Sequence, residues 1–243
     1  MNPQPPNPKF NRRRMLQLSG LSTIGLLLNG CQSSGLNTVG TQLSGAFDPL
    51  NQRVNELMFK ARSPVKEYSK SAIDPIEKLL INTFGETPNI DPNKFQLTID
   101  GDVNQSVTLS LADLQKLPYT SMVIQHVCVE GWAAIVHWGG VRISDLVALV
   151  QPKKTVRYAY FYSADGYYDS WDLASAMHPQ TLLAYNRNDK PIAIDNGAPL
   201  RLASPIKLGY KQSKWVTRIS FLSELPKKKG YWEDEGYEWF GGL

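Results

Sequence analysis

"YTSMVIQHVCVEGW", Tyr119 to Trp132, is the stretch from which the rest of the chain is best read. Its first part is rich in β-branched and apolar residues, which suit a pleated, half-buried surface. It therefore reads as a strand, and that strand delivers a cysteine, Cys128, with His126 two residues before it and Glu130 two after. The chain has 2 cysteines; the other, Cys31, lies near the N-terminus in a very different setting.

Outward from this strand the signals stay mixed. Upstream, "KFQLTIDGDVNQSVTLS" is two alternating runs around Asp100-Gly101, the pattern of a β-hairpin. "LADLQKLP" reads as a short helix stopped near Pro118. Downstream, "RISDLVALV" is another short helix. "VRYAYFYSADGYYDSWDL" is a strand, a turn at Asp165-Gly166 and a second strand. "LASAMH" is a helical piece, and "TLLAYN", "PLRLAS" and "WVTRISFL" are further strands. Strands outnumber helices, the helices are short, and no regular βαβ alternation or repeat period is visible. The fold class expected is α+β, a mixed β-sheet core with short helices. Helices are also expected over 48–61, with Asp48 as cap and Pro49 in the first turn, and over Asp74 to Ile81. "PKKK" at 226–229 reads as a solvated turn.

With 243 residues, 42% of them hydrophobic and 20% charged, the chain has the composition of a folded protein rather than a disordered one. The formal charge is +4. Residues 1–30 hold Lys9, Arg12, Arg13 and Arg14 and no acid, so they account for all of it. The body of the chain is electrically balanced, which removes the main support for nucleic-acid binding.

"NRRRMLQLSGLSTIGLLLNGC" runs from a basic cluster through an apolar stretch to small residues before Cys31, the order of an export signal. The apolar stretch is interrupted and too short to favour a membrane-spanning helix. "RRRML" resembles a twin-arginine signal, with Arg12 and Arg13 as the pair and departures at Asn11 and Gln17. "LLNGC" resembles a bacterial lipobox, with Asn29 the less usual residue. These resemblances imply a lipidated Cys31 and a membrane-tethered protein outside the cytoplasm. The resulting organisation is an export signal at 1–30, a Gly- and Ser-rich tether at 31–46 and one domain at 47–243. Twin-arginine export carries folded proteins and is often used where a cofactor is inserted first.

Cys128 has three readings from its surroundings. Packing is the default, because free cysteine is among the most buried residue types. A nucleophile needs a base and an oxyanion site; His126, His137 and His178 are the available imidazoles, and none is placed by sequence. A zinc centre needs about four ligands, which a lone cysteine and scattered histidines supply poorly. A soft thiolate can instead give one bond to a metal held mainly by an organic ligand. Such a ligand needs its own binding groups. "DNGAPLRLASPIKLGYKQSKWVTRI", Asp195 to Ile219, offers Asn196, Arg201, Lys207, Lys211, Ser213 and Lys214 around two Gly-containing breaks. Arg and Lys suit a phosphate, although surface cations have the same composition.

"HVCVEGWAAIVHWGGVRISDLV", "YSADGYYDSWDL", "HPQTLLAYNRNDKPIAIDNGAPLRL", "GYKQSKWVTRI" and "GYWEDEGYEW" together resemble the sulfite-oxidase-type molybdopterin-dependent oxidoreductases. The likeness runs from about residue 80 to the end, in family order. It is nearest the bacterial branch that contains the catalytic subunit of periplasmic methionine-sulfoxide reductase. The resemblance implies the sulfite-oxidase molybdopterin-binding fold and molybdenum-molybdopterin as cofactor, with Cys128 as the metal's protein ligand and catalytic residue. It implies cofactor contacts from Asn82, Gly85 and Glu86 in "NTFGE", from Ser163, from Asn196 and Arg201, and from Lys211, Gln212, Ser213 and Lys214. His126 and Glu130 stand as neighbours of the ligand, and Asp165 and Tyr167 as residues at the substrate mouth.

The reaction implied is two-electron redox coupled to oxygen-atom transfer on a small sulfoxide, N-oxide or sulfite-type substrate. Sulfite oxidases carry arginines just after the ligand cysteine; here Val129, Glu130, Gly131 and Trp132 follow. An acid in place of cations disfavours sulfite unless Arg142 compensates. Neither a "CxxCH" haem motif nor the dimerisation domain of those enzymes is found, so a separate cytochrome or membrane haem protein is expected to exchange electrons with the site. Two readings from other classes stand beside this one: a lipid-anchored ligand- or partner-binding protein of the same fold without turnover, and a cysteine hydrolase.

Overall fold

The computed structural model describes residues 63–243 and the single position Val54. The export signal, the tether and the helix expected over 48–61 lie outside the described residues, Val54 apart.

Among the described residues, ten strands form two sheets. The first contains β1 (Gln96–Gly101), β2 (Val107–Ser110), β5 (Tyr158–Ser163), β6 (Tyr168–Asp172) and β10 (Val216–Leu222), in the order β2-β1-β10-β5-β6. β1 and β10 run parallel and the other neighbours antiparallel, so this is the mixed sheet. The second contains β3 (Tyr119–Val127), β4 (Ala133–Arg142), β7 (Leu182–Arg187) and β8 (Lys190–Pro191) in that order, with β9 (Arg201–Ala203) also on β7. It is antiparallel throughout. The α+β reading holds, with two sheets rather than one.

Side chains on a strand alternate between faces, and β7 uses both. Leu183 and Tyr185 join the larger core with Ile99, Phe161, Trp171, Ile219 and Phe221 of the first sheet. Leu182 and Ala184 join a smaller core on the opposite face with Met122, Ile124, Val136 and Trp138 of β3 and β4. β7 is therefore buried on both faces. The far face of the second sheet runs from this smaller core to His126 and on to Cys128, and that is the side on which the site forms.

The helices are short. α1 (Leu111–Leu114) is closed by a capping box in which Ser110 and Asp113 exchange side chain-to-backbone hydrogen bonds. α2 (Ile143–Val150) buries Ile143, Leu146, Val147 and Val150, a single stripe at helical spacing; full burial of each such side chain contributes roughly 1.5–3 kcal/mol. α3 (Leu173–Ala176) is capped by the Asp172 carboxylate on the Ser175 N–H. α4 (Tyr231–Asp234) lies near the C-terminal end.

Two local expectations change. The β1–β2 hairpin forms, but Asp100 and Gly101 belong to β1 and the turn comes after them. Gly101 has φ +99°, and a Cβ there would lie 2.3 Å from the Phe221 carbonyl oxygen, so glycine is needed where β1 meets β10. The helix expected over Asp74 to Ile81 is replaced by 3-10 turns at Lys70–Ala72 and Ile76–Lys78. Asp74 accounts for this. Its amide donates to the Ile135 carbonyl at 3.0 Å and its carboxylate accepts from the Ile135 N–H at 2.9 Å. The segment is pinned to β4 by those bonds and cannot wind freely.

Candidate active site

β3 ends at Val127 and the chain turns at once: the Gly131 N–H donates to the Cys128 carbonyl at 3.1 Å, and the Cys128 N–H donates to the Trp132 carbonyl at 2.9 Å. This tight connection to β4 holds Cys128 partly exposed in the wall of a cavity of about 260 Å³. The wall also includes Asn82, His126, Glu130, Asp165, Tyr167, Asn196, Arg201, Gln212, Ser213 and Lys214. Segments distant in sequence thus meet at one place.

Burial pushes the Cys128 thiol up from its ordinary value. Its Sγ lies 3.7 Å from Glu130 Oε2, which also accepts from Trp132 Nε1 and Asn82 Nδ2, each at 2.9 Å. The Trp132 bond first, then the Asn82 bond, hold the Glu130 carboxyl below the usual carboxylate range. His126 is buried, stacked on Trp132 at 5.8 Å, and desolvation together with the nearby Arg201 charge lowers it to about 3. A thiol driven toward its protonated form beside so weak a base is poorly suited to nucleophilic catalysis. His137 and His178 are not in the wall: His137 lies by Asp189, and His178 bonds the Ser63 carbonyl.

The lining also carries cations. Arg201 is buried over the Trp138 ring at 4.7 Å. Its hydrogen bonds go to the carbonyls of Asn196 (2.8 Å), Leu202 (3.2 Å) and Gln212 (3.5 Å). Arg187, at the end of β7, donates to Asn196 Oδ1 at 2.5 Å, which leaves the Asn196 amide N–H groups as what that side chain can offer. Lys214 donates to the Asp195 carbonyl at 3.0 Å and sits over Trp215. Burial first, then Arg201, lower Lys214 to about 8; burial first, then Arg187, lower Arg201 to about 9. The hydrogen bonds of these three cations go to neutral oxygens. An arginine buried without a carboxylate on it is costly, and an anion beside Arg201 in the cavity would offset that cost. Gly197, at φ +108°, lets the Asn196 turn pack here, since a Cβ would lie 2.9 Å from Lys214 Cβ and 3.0 Å from Arg201 Cβ.

The remaining sequence candidates divide. Gln212 lines the cavity, but its side chain is committed to Ser204 and Lys207 and its N–H to the Gly209 carbonyl at 3.0 Å. Ser213 is buried with an Oγ that has no protein partner. Ser163 has the same orphaned Oγ and ends β5 beneath the Asp165–Tyr167 turn, outside the cavity lining. In "NTFGE", Asn82, Thr83 and Phe84 line the cavity while Gly85 and Glu86 do not. Lys211 points away: it is fully buried, with its Nζ on Asp169 and Glu233. Arg142 is exposed at the far end of β4 and is not in the wall.

Sequence reasoning assigned no role to Phe84, Asp195, Tyr210, Trp232 and Tyr237, all of which line the cavity. The density of rings in "GYWEDEGYEW" was the available signal for the last two.

A family model described as "Oxidoreductase molybdopterin binding domain" matches residues 84–232. The chain is 39% identical over 157 residues to the "Putative protein-methionine-sulfoxide reductase subunit YedZ1" of Azospira oryzae, covering 65% of this chain and 59% of that protein. It is 30% identical over 162 residues to the "Protein-methionine-sulfoxide reductase catalytic subunit MsrP" of Campylobacter jejuni, covering 60% and 54%. Its match to MsrP of Ralstonia nicotianae is 31% over 151 residues, covering 56% and 46%. The chain thus spans about half the length of these curated relatives. Among solved structures, the sulfane dehydrogenase SoxCD of Paracoccus pantotrophus has a TM-score of 0.54 at 19% identity over 67% of this chain and 50% of that one, a likeness of fold.

The residues present fit the cofactor that goes with this family, molybdenum-molybdopterin. They offer one soft sulfur donor, a buried arginine in the wall, Arg201, bonded only to neutral oxygens with the half-buried Lys214 near it, and a buried serine hydroxyl in the wall with no protein partner.

Proposed function

Because the chain belongs to the oxidoreductase molybdopterin-binding domain family, we propose that it is a molybdenum-dependent oxidoreductase acting on a small sulfoxide- or N-oxide-type group. The observation that carries this reading is one cavity wall shared by Cys128, Asn196, Arg201, Ser213 and Lys214. The bound cofactor would supply two-electron redox chemistry coupled to oxygen-atom transfer.

The protein's own residues have definite tasks. Cys128 gives up its proton to become a metal ligand, a change that metal binding itself drives. Arg201 and Lys214 neutralise the cofactor's phosphate end, and Asn196 and Ser213 donate hydrogen bonds to it. Asn82 closes the wall through Glu130. Ser163, Gly85 and Glu86 lie outside the lining, and no contact with the cofactor is proposed for them.

Substrate choice follows from charge. Glu130, Asp165 and Asp195 line the cavity, and a dianion such as sulfite meets repulsion from them, with no help from Arg142. A neutral sulfoxide meets none. The names of the relatives, protein-methionine-sulfoxide reductase subunits, point the same way.

Residues 1–30 act as the export signal and Cys31 as the lipid-bearing residue, on the sequence patterns alone. Residues 31–46 are the tether, and a separate haem protein in the membrane exchanges the electrons. The test is metal and pterin content of protein expressed with cofactor synthesis intact, followed by dye-linked reduction of sulfoxides, N-oxides and sulfite. One molybdenum per chain and sulfoxide turnover abolished by Cys128→Ser are expected. Metal-free protein, or a Cys128→Ser variant as active as wild type, would overturn the reading.

A further inference from the structure

Lys211 stands among cationic residues in sequence, yet its ammonium faces away from the cavity. It is fully buried and donates to Asp169 Oδ1 at 2.5 Å, to the Ser170 carbonyl at 3.1 Å and to the Glu233 carboxylate. Asp169 and Glu233 are as deeply buried as the lysine. Burial first, and then the second carboxylate beside it, drive Asp169 well above its ordinary value. Trp171 Nε1 ties the centre down, bonding Asp169 Oδ2 and the Lys211 carbonyl, each at 2.9 Å.

The partners identify what is being joined. Asp169 is on β6, a fixed part of the core. Glu233 is on α4, whose neighbour Trp232 lines the cavity together with Tyr237. Lys211 begins the Lys211–Lys214 run, of which Gln212, Ser213 and Lys214 line the cavity. The same two segments meet repeatedly nearby. Lys207 Nζ donates to the Phe240 carbonyl at 2.5 Å, Tyr210 OH to the Glu238 carbonyl at 2.6 Å, and the Leu208 N–H to the Gly241 carbonyl at 2.9 Å. Segment 230–243 is thus a strap laid over loop 207–214, with Lys211 as its innermost fastening.

We propose that Lys211 is a positioning residue that clasps the strap to β6 through Glu233 and Asp169, and thereby holds Gln212, Ser213 and Lys214 in place for the cofactor. This rests on the cofactor reading above. It gives Lys211 a different task from the cofactor contact that its sequence position suggests. Its ammonium is bonded to Asp169, Glu233 and the Ser170 carbonyl, so it adds nothing to the anion-binding wall. Its effect passes through the backbone of the loop that carries Lys214.

The test is hydrogen exchange on the full chain, metal-free and as isolated. It compares wild type with Lys211→Met/Glu233→Gln, which removes the clasp while Asp169 keeps its bond from Trp171 Nε1, and with Glu233→Gln, which keeps the shape. Amides in 207–214 and 230–242 are expected to exchange about tenfold faster while β4 and β7 keep their protection. Molybdenum retained through gel filtration should fall at an unchanged pterin affinity of the cytosolic supply, that is, through faster loss. A selective effect in either variant supports the clasp. Equal protection in both, or protection lost evenly across β4 and β7 in both, overturns it. If wild type carries no molybdenum, the cofactor reading fails instead, and the exchange contrast in metal-free protein still decides the clasp.

Discussion

Asn82 and Glu130 are joined by a hydrogen bond, Nδ2 to Oε2 at 2.9 Å, across 48 residues of sequence. The same oxygen takes the Trp132 indole N–H and lies 3.7 Å from the Cys128 sulfur. One carboxylate therefore couples the turn that presents the cysteine to the segment that closes the cavity over it.

Replacing that carboxylate should loosen the closing segment without unfolding the protein. In Glu130→Ala, amides of residues 80–86 are expected to exchange faster, and metal-free Cys128 should be alkylated faster because its cover has lifted. The melting temperature should move little, since the contact lies at the surface. Exchange mass spectrometry and a timed alkylation read both effects. Unchanged exchange at 80–86 would show that Glu130 does not hold the segment.

Arg201 separates binding from stability. Its guanidinium is buried on neutral oxygens and an aromatic face, so metal-free Arg201→Met should be as stable as wild type or more so. Removal of an uncompensated buried charge relieves desolvation. Cofactor content should nonetheless fall by roughly tenfold, the loss of a charge-assisted bond worth about 1.4 kcal/mol or more. Urea unfolding and molybdenum analysis on the same preparations check the two halves. A variant that is unstable yet still fully loaded would reverse the assignment.

Lys207 predicts a pH dependence. Burial lowers it to about 8 from an ordinary value of 10.5, against the opposing pull of Asp172. Between those limits the unfolded chain binds more protons than the folded one, so folding is penalised at lower pH and stability rises as pH climbs from about 8 toward 10. Denaturant midpoints at pH 7.5, 8.5 and 9.5 in metal-free protein would show the rise at about that range. Lys207→Met should flatten it. The same slope in both proteins would mean that another group is responsible.

Much of the fold was legible locally. The runs of β-branched and aromatic residues in 119–127, 158–163 and 216–222 became β3, β5 and β10, because such side chains suit a pleated, largely buried surface. The stripe Ile143, Leu146, Val147 and Val150 became α2 for the corresponding helical reason. The segment Asp74 to Ile81 misled because its conformation is set by two hydrogen bonds to Ile135, a residue far away in sequence. The hairpin turn moved off Asp100-Gly101 because Gly101 is needed against Phe221 on a strand more than a hundred residues later. Neither constraint leaves a mark on the local sequence.

The candidate site divides in the same way. Cys128, Asn196, Arg201, Ser213 and Lys214 were nominated from the chain and share one cavity. Gly85, Glu86, Ser163 and Lys211 were nominated on the same resemblance and lie outside its lining. Family order in sequence marks the segments that build a site, but it does not say which side chain of each segment turns inward. For Lys211 that direction was chosen by Asp169 and Glu233.

By itself, the order of residues settled the element types, the electrically balanced body and the segments that carry a thiol, cations and an amide. These depend on periodicity, composition and motif, which are properties of neighbours along the chain. Only the tertiary structure decided that Cys128, Arg201 and Lys214 line one cavity, that Glu130 bonds Asn82, and that Lys211 bonds Asp169 and Glu233 rather than lining the cavity wall. Charge and hydrogen-bond energies depend on distance in space and on exclusion of water, and both are set only when the two sheets and the 207–214 loop pack together.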